Sequence, residues 1–322
     1  MSNDWLWFQL YYYIIYLLAV LAKGMLLYTM WKAPGFCAKS CRIVFLNTLI
    51  ADFLICTNLV LLVPRRMPAG DSIVLFAYGV CSAVPGMCEF LNVLWFVLLA
   101  DGLMAITVSF FYRYFVLYHR TFEPKWSFVL CVAPYLIGIP FLIIGPNLSV
   151  TGAELTQIAV RENIEIPVGT VNFGYSTFLT PPLLLLHTYA LYLTPVHCIL
   201  MFWFRYKVNK YLDKSWALSR QTLSKHRALV KVLTIQMCMP LVHMLNIIIY
   251  ILEQTSVLKL AYFDLAFVMI IHLCAASGGF VSLAIIRPYR KEVVRLFHRI
   301  TTNSSHVSSI SDHSLPPIKT PL

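Results

Sequence analysis

Seven long apolar stretches, separated by short polar segments, dominate the hydrophobic pattern of this chain. Each stretch holds about 20 predominantly apolar residues, the length that an α-helix needs to cross the hydrocarbon core of a bilayer. The pattern therefore predicts an all-α membrane protein folded as a bundle of seven transmembrane helices. The predicted spans are 8–31, 43–63, 85–112, 126–145, 183–204, 229–252 and 262–286.

Composition agrees with this prediction. Hydrophobic residues make up 59% of the chain and charged residues only 12%, with a mean hydropathy of +0.74. A water-soluble core of 322 residues does not have this composition.

The basic residues set the orientation of the bundle. Twenty of the 25 lysines and arginines lie in the first, third and fifth connecting segments and after the seventh span. Because basic residues accumulate in cytoplasmic segments, the N-terminus is expected outside the cell. The net charge of +11 then indicates contact with anionic lipid and a cytoplasmic partner, and no nucleic-acid binding is predicted.

The cysteines predict no disulfide. Only Cys81 and Cys88 approach the outer side, and, if both are helical, seven residues of helical rise separate them by about 10 Å, which is too far to bridge. The other cysteines suit the packing of apolar helices.

No motif for catalysis or metal binding is present. The sequence lacks CxxC, HExxH, GxSxG, P-loop and GxGxxG patterns. No enzyme activity, cofactor or metal is therefore predicted.

The chain divides into one membrane domain, 1–300, and a tail, 301–322, that is rich in serine and proline. This composition predicts a disordered cytoplasmic tail. The long outer segment 146–182 contains Asn147-Leu148-Ser149, an acceptor for N-glycosylation on the side where that modification occurs.

Two acidic residues lie inside the spans. Asp52 and Asp101 are predicted at comparable depths on neighbouring helices. They form either a hydrated polar cluster that holds a cation or a shared proton, or two separate interhelical hydrogen-bonding sites. The sequence leaves both interpretations open.

A second set of polar and aromatic residues predicts a ligand pocket that opens to the outside. Three of its members share one face of the third span, and the others lie in the outer or middle parts of three other helices. An intramembrane histidine also serves often as a plain interhelical partner. The candidates are Glu89, Asn92, Phe96, His187, His243, Asn246 and His272.

The cytoplasmic boundary carries basic and aromatic residues. Tyr112-Arg113-Tyr114 closes the third span, and Lys207, Lys210 and Lys214 share one face of a continued fifth helix. After the seventh span, basic positions alternate with apolar ones as a short amphipathic helix on the membrane. These faces suit anionic lipid, an acidic protein partner, or both. The helix combines Lys291, Arg295 and Arg299 with Val293, Val294, Leu296, Phe297 and Ile300.

Several motifs resemble those of a known family. Leu46-Asn47 followed by Ala51-Asp52, together with Tyr112-Arg113-Tyr114, resembles rhodopsin-like G-protein-coupled receptors. The run 287–291, Arg-Pro-Tyr-Arg-Lys, is similar to the Pro-Tyr-Arg motif of nematode serpentine chemoreceptors. The outer segment 64–72, continuing to 78–81, resembles the delta class (Srd) of those receptors. The resemblance covers about residues 12–300.

The resemblance implies a chemosensory receptor of olfactory, gustatory or pheromone type. It implies a small-molecule odorant or pheromone as ligand, a heterotrimeric G protein as partner, and a multi-pass location in the plasma membrane of sensory cilia. The flexible positions would be Pro240, Gly278 and Gly279. The residues facing the G protein would be Tyr112, Arg113, Lys207, Lys210, Lys214, Pro288, Tyr289 and Arg290.

The sequence also departs from the rhodopsin-like pattern. Tyr112 stands where an acidic residue usually precedes the arginine, and the seventh helix lacks Asn-Pro-x-x-Tyr. The usual disulfide from the second outer loop to the third helix cannot form, because no cysteine lies between Cys131 and Cys198. One alternative is a ligand-gated channel or transporter with Asp52 and Asp101 on the ion path, although inverted repeats and broken half-helices are missing. An intramembrane enzyme is a further alternative, for which no nucleophile or metal cluster can be assembled.

Overall fold

A computed structural model describes most of the chain. The described residues are 4–32, 38–69, 72–84, 86–119, 122–150, 153–162, 164, 166, 170–176, 180–214, 219–254, 263–296 and 298–299. The predicted tail 301–322, and Phe297 and Ile300 of the predicted amphipathic helix, lie outside them.

The prediction of a seven-helix membrane bundle is confirmed. Within the described residues, seven helical segments are long and apolar enough to cross a membrane. The fifth is built from three pieces, α6, a π-helical turn at Thr188–Tyr192, and α7. A shorter helix, α5 (Ala153–Arg161), lies between the fourth and fifth spans. The spanning helices are α1 (Asp4–Lys32), α2 (Lys39–Leu62), α3 (Met87–His119), α4 (Pro124–Ile144), α6 (Pro181–His187) with α7 (Thr194–Lys214), α8 (Arg220–Gln254) and α9 (Phe263–Ile285).

Helix α3 forms the centre of the bundle. In its apolar window 67% of the residues are buried, compared with 22% for the fourth span and 28% for the first. It contacts α2, α4, α7 and α8, and Trp95, Phe96 and Phe110 on it are fully buried. Side chains on α3 therefore face the interior in every direction, while α1 and α4 leave most of their apolar surface for lipid.

A small antiparallel sheet caps one end of the bundle, a feature that the hydrophobic pattern does not predict. Strands β1 (Pro64–Ala69), β2 (Ser72–Ala77) and β3 (Val171–Tyr175) pair in the order β1-β2-β3. Their register places Arg66 opposite Leu75, and Leu75 opposite Phe173. We call this the sheet end of the bundle. The opposite end, where α1 ends and α2 begins, is called the basic end because most lysines and arginines lie there.

The turn from α2 into the sheet and back depends on tight backbone contacts. Helix α2 ends at Leu62, and the next residue, Val63, adopts a left-handed conformation with φ 42°. After β2 the chain returns to this point, and Gly79 donates a backbone hydrogen bond to Leu62. A β-carbon on Gly79 would lie 2.0 Å from the carbonyl oxygen of Leu61. Only glycine therefore fits where the chain passes the end of α2.

The expectation that Cys81 and Cys88 are too far apart is wrong. Their α-carbons lie 5.1 Å apart and the two residues form a disulfide. The expectation assumed one continuous helix, but Val80–Ala83 is a 3₁₀ turn, Val84 is extended, and Gly86 has φ 75°. The chain therefore turns back before α3 begins at Met87.

A further helix, α10, covers residues 287–296 after Ile286 interrupts the seventh span. Tyr289 on this helix is buried and packs in a cluster with Leu26, Met30 and Leu49. The predicted helix after the seventh span is therefore present, and one aromatic side chain ties it to α1 and α2.

Candidate functional site

An apolar cavity lies between α2, α3, α8, α9 and the π-helical turn of the fifth span. Its empty space measures about 620 Å³, including the part open to solvent. Among the described residues that line it, Asp52 and His243 carry the ionisable oxygen and nitrogen groups. The lining residues are Asp52, Ile55, Leu99, Gly102, Leu103, Ile106, Ala190, Met239, Pro240, Val242, His243, Ile270, Ile271, Cys274 and Ala275.

The predicted flexible proline borders this cavity. Pro240 lies within the 35 residues of α8 and lines the cavity wall. A proline removes one backbone hydrogen bond from a helix and clashes with the preceding turn, so it weakens the helix locally. The segment of α8 on the basic side of Pro240 continues to Arg220 without another proline.

Above the cavity, toward the sheet end, a cation from the sheet enters the bundle. Arg66 on β1 is only 6% exposed, and its guanidinium lies 4.0 Å from the centroid of the Trp95 ring and 4.6 Å from that of Phe96. One guanidinium N–H donates to Asn92 Oδ1 at 2.9 Å. Two of the predicted pocket residues, Asn92 and Phe96, therefore hold an arginine that the sequence assigned only to an outer loop. Two adjacent arginines in a segment otherwise poor in basic residues were the one signal that pointed to it.

Tyr175 on β3 completes this arrangement. Asn92 Nδ2 donates to the Tyr175 hydroxyl at 2.9 Å, so one amide links α3 to both β1 and β3. Burial raises the pKa of Tyr175 to about 12, although the nearby charge of Arg66 and the hydrogen bond from Asn92 act in the opposite direction. The phenol therefore stays neutral at physiological pH.

The remaining predicted pocket residues lie on different sides of the bundle. His187 packs 4.9 Å from the Phe96 ring, and its Nδ1–H donates to the Leu183 carbonyl at 2.8 Å. Asn246 is 4% exposed, and its Nδ2 has no hydrogen-bond partner among the described residues. His272 instead stacks on Tyr12 of α1, with ring centroids 4.9 Å apart. Glu89 is half-buried in the first turn of α3.

The two acidic residues of the spans have separate surroundings. Asp101 accepts a hydrogen bond from Tyr189 at 3.2 Å, and Tyr189 also reaches the Pro134 carbonyl of α4. Asp52 lies against α9, where a β-carbon on Gly278 would be 2.5 Å from its Oδ2. No described hydrogen bond or salt bridge joins the two carboxylates.

A buried lysine that the sequence left without a role lies near Asp52. Lys23 is 2% exposed, and its ammonium donates to the Ala275 carbonyl at 3.1 Å and contacts Cys56 Sγ at 3.5 Å. Its charge lies within electrostatic range of Asp52. A lysine buried in an apolar bundle depends on such polar neighbours to offset the loss of its hydration.

The two glycines predicted to be flexible provide close helix packing. A β-carbon on Gly279 would lie 3.2 Å from the Ala22 β-carbon of α1, and Gly278 leaves room for the Asp52 carboxylate. Both positions therefore let α9 approach its neighbours. The predicted glycosylation residue, Asn147, is exposed in the 3₁₀ turn Gly145–Leu148 at the sheet end.

At the basic end, Tyr112 and Arg113 are both buried. The Tyr112 hydroxyl lies 2.8 Å from the Ser40 hydroxyl, and Arg113 donates to Cys41 Sγ at 3.3 Å. The end of α3 is thus held to the start of α2 through both residues. Tyr112, which stands where an acid is usual, is a packing residue with a neutral hydrogen bond.

The other basic-end candidates lie at three places. Lys207 and Lys210 on α7 lie over the rings of Trp203 and Tyr206, at 5.6 and 5.7 Å, and Lys214 is the exposed last residue of that helix. On α10, Tyr289 is buried, whereas Pro288 is half-buried and Arg290 is exposed. Within the Pro-Tyr-Arg motif of α10, Arg290 is therefore the residue most accessible to a partner.

Comparison with known proteins decides the family. A family model described as serpentine type 7TM GPCR chemoreceptor Srd matches residues 8–295. The chain belongs to this Srd family. Relatives of the Srd protein include three from Caenorhabditis elegans. Serpentine receptor class delta-33 is 23% identical over 85% of this chain and 81% of its own, delta-19 is 25% identical over 96% and 94%, and delta-18 is 26% identical over 95% and 91%.

Membership confirms the resemblance inferred from the motifs. The Srd protein is a multi-pass membrane protein and a serpentine chemoreceptor, in a family that is not enzymatic. Its relatives come from a nematode.

Proposed function

We propose that this Srd protein binds a small external ligand in the bundle and signals to a heterotrimeric G protein at the basic end. The observation that carries the proposal is the cavity wall at Pro240. The same helix that borders the cavity runs to Arg220 at the basic end, so a ligand in the cavity touches the element that reaches the cytoplasmic partner.

Three features support the sheet end as the extracellular side. The disulfide Cys81–Cys88 forms there, and disulfides persist outside the reducing cytosol. The exposed Asn147 acceptor lies at the same end. Most lysines and arginines lie at the opposite end, which fits the positive-inside rule.

The basic end carries the surface proposed for the G protein. It combines the face made by Lys207, Lys210 and Lys214 on α7 with Arg290 on α10, while Arg113 of α3 is buried in this structure. A ligand that favours a state with the basic half of α8 swung outward around Pro240 would open a cleft between them. A difference of a few kcal/mol in ligand affinity between the two states is sufficient for such a shift, since about 5.5 kcal/mol moves an equilibrium from 1:99 to 99:1.

The separate positions of the two acidic residues disfavour the alternative of a channel or transporter. It needs Asp52 and Asp101 on one route, whereas Asp101 bonds to Tyr189 beside α4 and Asp52 lies against α9. The proposed location, by family, is the plasma membrane of chemosensory neurons, in their sensory cilia.

The test is a second-messenger assay in cells that co-express a promiscuous Gα, across a panel of volatile and water-soluble small molecules. We expect a ligand response that Arg113→Ala removes at matched surface expression. Arg161→Ala, an exposed arginine at the sheet end, is the control with the same change in charge. A response that survives both Arg113→Ala and removal of the G protein would overturn the proposal.

A further inference from the structure

Resting on the proposed receptor function, we propose that the ligand is a neutral lipophilic molecule that reaches the cavity from the bilayer. It enters between α8 and α9, in the half of these two spans nearer the sheet end. We call this entry the lateral opening; Val242 of α8 and Ile270 of α9 border it.

The two residues at the lateral opening line the cavity and also lie on the outer surface of the bundle. Val242 is 37% exposed and Ile270 is 36% exposed. Both lie within membrane-spanning segments, where the surroundings of an exposed side chain are lipid chains. Residues three apart share a helix face, and Leu245 and Leu273, three residues further along, are exposed and line no part of the cavity. The cavity wall therefore reaches the lipid-facing surface at this point.

Helices α8 and α9 touch on the basic side of the lateral opening. The Ser277 hydroxyl donates to Met239 Sδ at 4.0 Å, and Met239 also lines the cavity. One turn further toward the basic end, a β-carbon on Gly278 would lie 3.4 Å from Gln236 Nε2. These contacts hold the helices together below the cavity, so the space between them widens toward the sheet end.

The sheet covers the outer end of the helices that line the cavity. Strand β1 contacts α8 and α9, and its Arg66 packs on Trp95 and Phe96 of α3. The Asn92 amide bonds to both Arg66 and Tyr175, so β1 and β3 are both tied to α3. None of these five described residues lines the cavity. They form a layer outward of it, which favours entry from the side.

The chemistry of the cavity favours an uncharged molecule. Its walls are mostly aliphatic and suit an apolar ligand. An anionic ligand would meet the Asp52 carboxylate, and a cationic ligand would meet the charge of Lys23, which lies within electrostatic range of Asp52. A charged molecule also enters hydrocarbon at a high cost in free energy. A neutral lipophilic molecule avoids these costs and concentrates in the bilayer beside the opening.

The first test asks which molecules bind, without a G protein. Fluorine NMR follows a trifluoromethyl-tagged decanol with the full-length receptor in lipid nanodiscs, and empty nanodiscs are the control. Saturation transfer between the bilayer-dissolved and the receptor-bound probe gives its affinity and its rates of binding and release. We expect hexanol, octanol and decanol to displace the probe, and carboxylates and alkylammonium ions of the same chain lengths to bind at least about tenfold more weakly. Charged analogues that bind as tightly as the alcohols would overturn the inference.

Variants at the lateral opening then test the route. Val242→Trp and Ile270→Trp narrow it and should slow binding and release together by at least about tenfold, because both steps use the same passage. Val242→Ala and Ile270→Ala widen it and should speed both rates. Leu245→Trp and Leu273→Trp add the same bulk at neighbouring exposed positions and should keep wild-type rates.

The inference is wrong if the variants at the opening show the same rates as the two leucine controls. The alanine variants decide this even if an indole fills the cavity and prevents binding.

A variant of the sheet tests the competing route from outside. Tyr175→Phe removes the hydrogen bond that Asn92 donates to the Tyr175 hydroxyl, so it loosens the attachment of β3 to α3. We expect this variant to bind and release the probe at wild-type rates. Faster binding than in wild type would show entry through the sheet end and overturn the lateral route.

The outcomes separate this inference from the receptor proposal. G-protein responses limited to charged, water-soluble molecules would keep the receptor function and remove the bilayer route. Binding of the neutral probe that depends on the lateral opening, without nucleotide exchange on any Gα, would support the route and overturn the receptor function.

Discussion

Buried charged and polar side chains show how this protein arranges function inside an apolar bundle. Arg66 is stacked on Trp95 and Phe96, and Lys23 is held by a backbone carbonyl within range of Asp52. Each cation is far from water, so each depends on neighbours that compensate for lost hydration. Lys23 contacts Ala275, one of the residues that line the cavity. The interior of the bundle therefore contains localised positive charge, although the cavity is lined mostly by aliphatic side chains.

Tyr175 offers a test of the Arg66–Asn92–Tyr175 arrangement through pH. Burial raises its pKa from 10.0 to about 12, so the folded state keeps the phenol protonated after the unfolded chain has ionised it. The stability from this residue is fully present below about pH 10 and is lost as the pH rises through about 12. We expect wild type to lose about 2–3 kcal/mol more than Tyr175→Phe between about pH 9 and pH 12. Denaturant unfolding of both proteins at several pH values measures this difference. If the free energies of unfolding of the two proteins changed in parallel with pH, the result would contradict the burial of the Tyr175 phenol.

Gly79 offers a second test at the residue scale. In Gly79→Ala the new β-carbon would collide with the backbone carbonyl of Leu61, which cannot rotate away. We expect a loss of about 1–3 kcal/mol in the free energy of unfolding. Gly24→Ala is the matched control, because nothing lies within 4 Å of its β-carbon, and alanine should favour helix α1 by about 1 kcal/mol. Equal stability of the two variants would show that the return of the chain past α2 is misplaced.

At the scale of elements, the turn between β2 and α3 is held by a covalent link. The disulfide Cys81–Cys88 closes a short loop just before the central helix, next to the hairpin that presents Arg66. The double variant Cys81→Ser/Cys88→Ser should lower the free energy of unfolding by about 2–3 kcal/mol, since the unfolded chain regains loop entropy. Cys238→Ser changes an exposed free thiol on α8 and should leave stability unchanged. Thermal unfolding with and without a reductant measures the stability of both variants. A double variant that is insensitive to reductant but as stable as wild type would show that the disulfide does not stabilise the fold.

Helix α8 is the element that joins the cavity to the basic end. Pro240→Ala restores a backbone hydrogen bond, so it should stabilise α8 by up to about 3 kcal/mol and reduce its bending. We therefore expect higher thermal stability together with reduced ligand-driven signalling. Pro140→Ala removes an exposed proline from α4, away from the cavity, and should leave signalling intact. Signalling by Pro240→Ala equal to that of Pro140→Ala would show that α8 does not pivot there.

At the scale of the whole molecule, the seven spans could be predicted from sequence because each is an uninterrupted apolar run of membrane length. The sheet could not, since its strands β1 and β2 hold only six residues each and pair with a third from a distant loop. The disulfide was missed because a 3₁₀ turn and Gly86 reverse the chain between residues that were assumed to be helical.

Only part of the candidate site could be predicted from the sequence. Asn92, Phe96 and His187 share one region because helical periodicity brings residues of α3 inward. Arg66 joins them only through the tertiary path of the hairpin, and no local pattern encodes that path. Asp52 and Asp101 have comparable depth but face different helices, which depth alone does not distinguish.

The most direct test of coupling is nucleotide exchange with purified components. Receptor in lipid nanodiscs is mixed with heterotrimeric G proteins of several Gα classes. The release of GDP is followed with and without the small molecules that give a response in the second-messenger assay. We predict faster release in the presence of receptor, a further increase with ligand, and loss of both in Arg113→Ala but not in Arg161→Ala. Release that no Gα class accelerates, from a receptor that is folded and binds its ligand, would contradict the assignment of this bundle as a G-protein-coupled receptor.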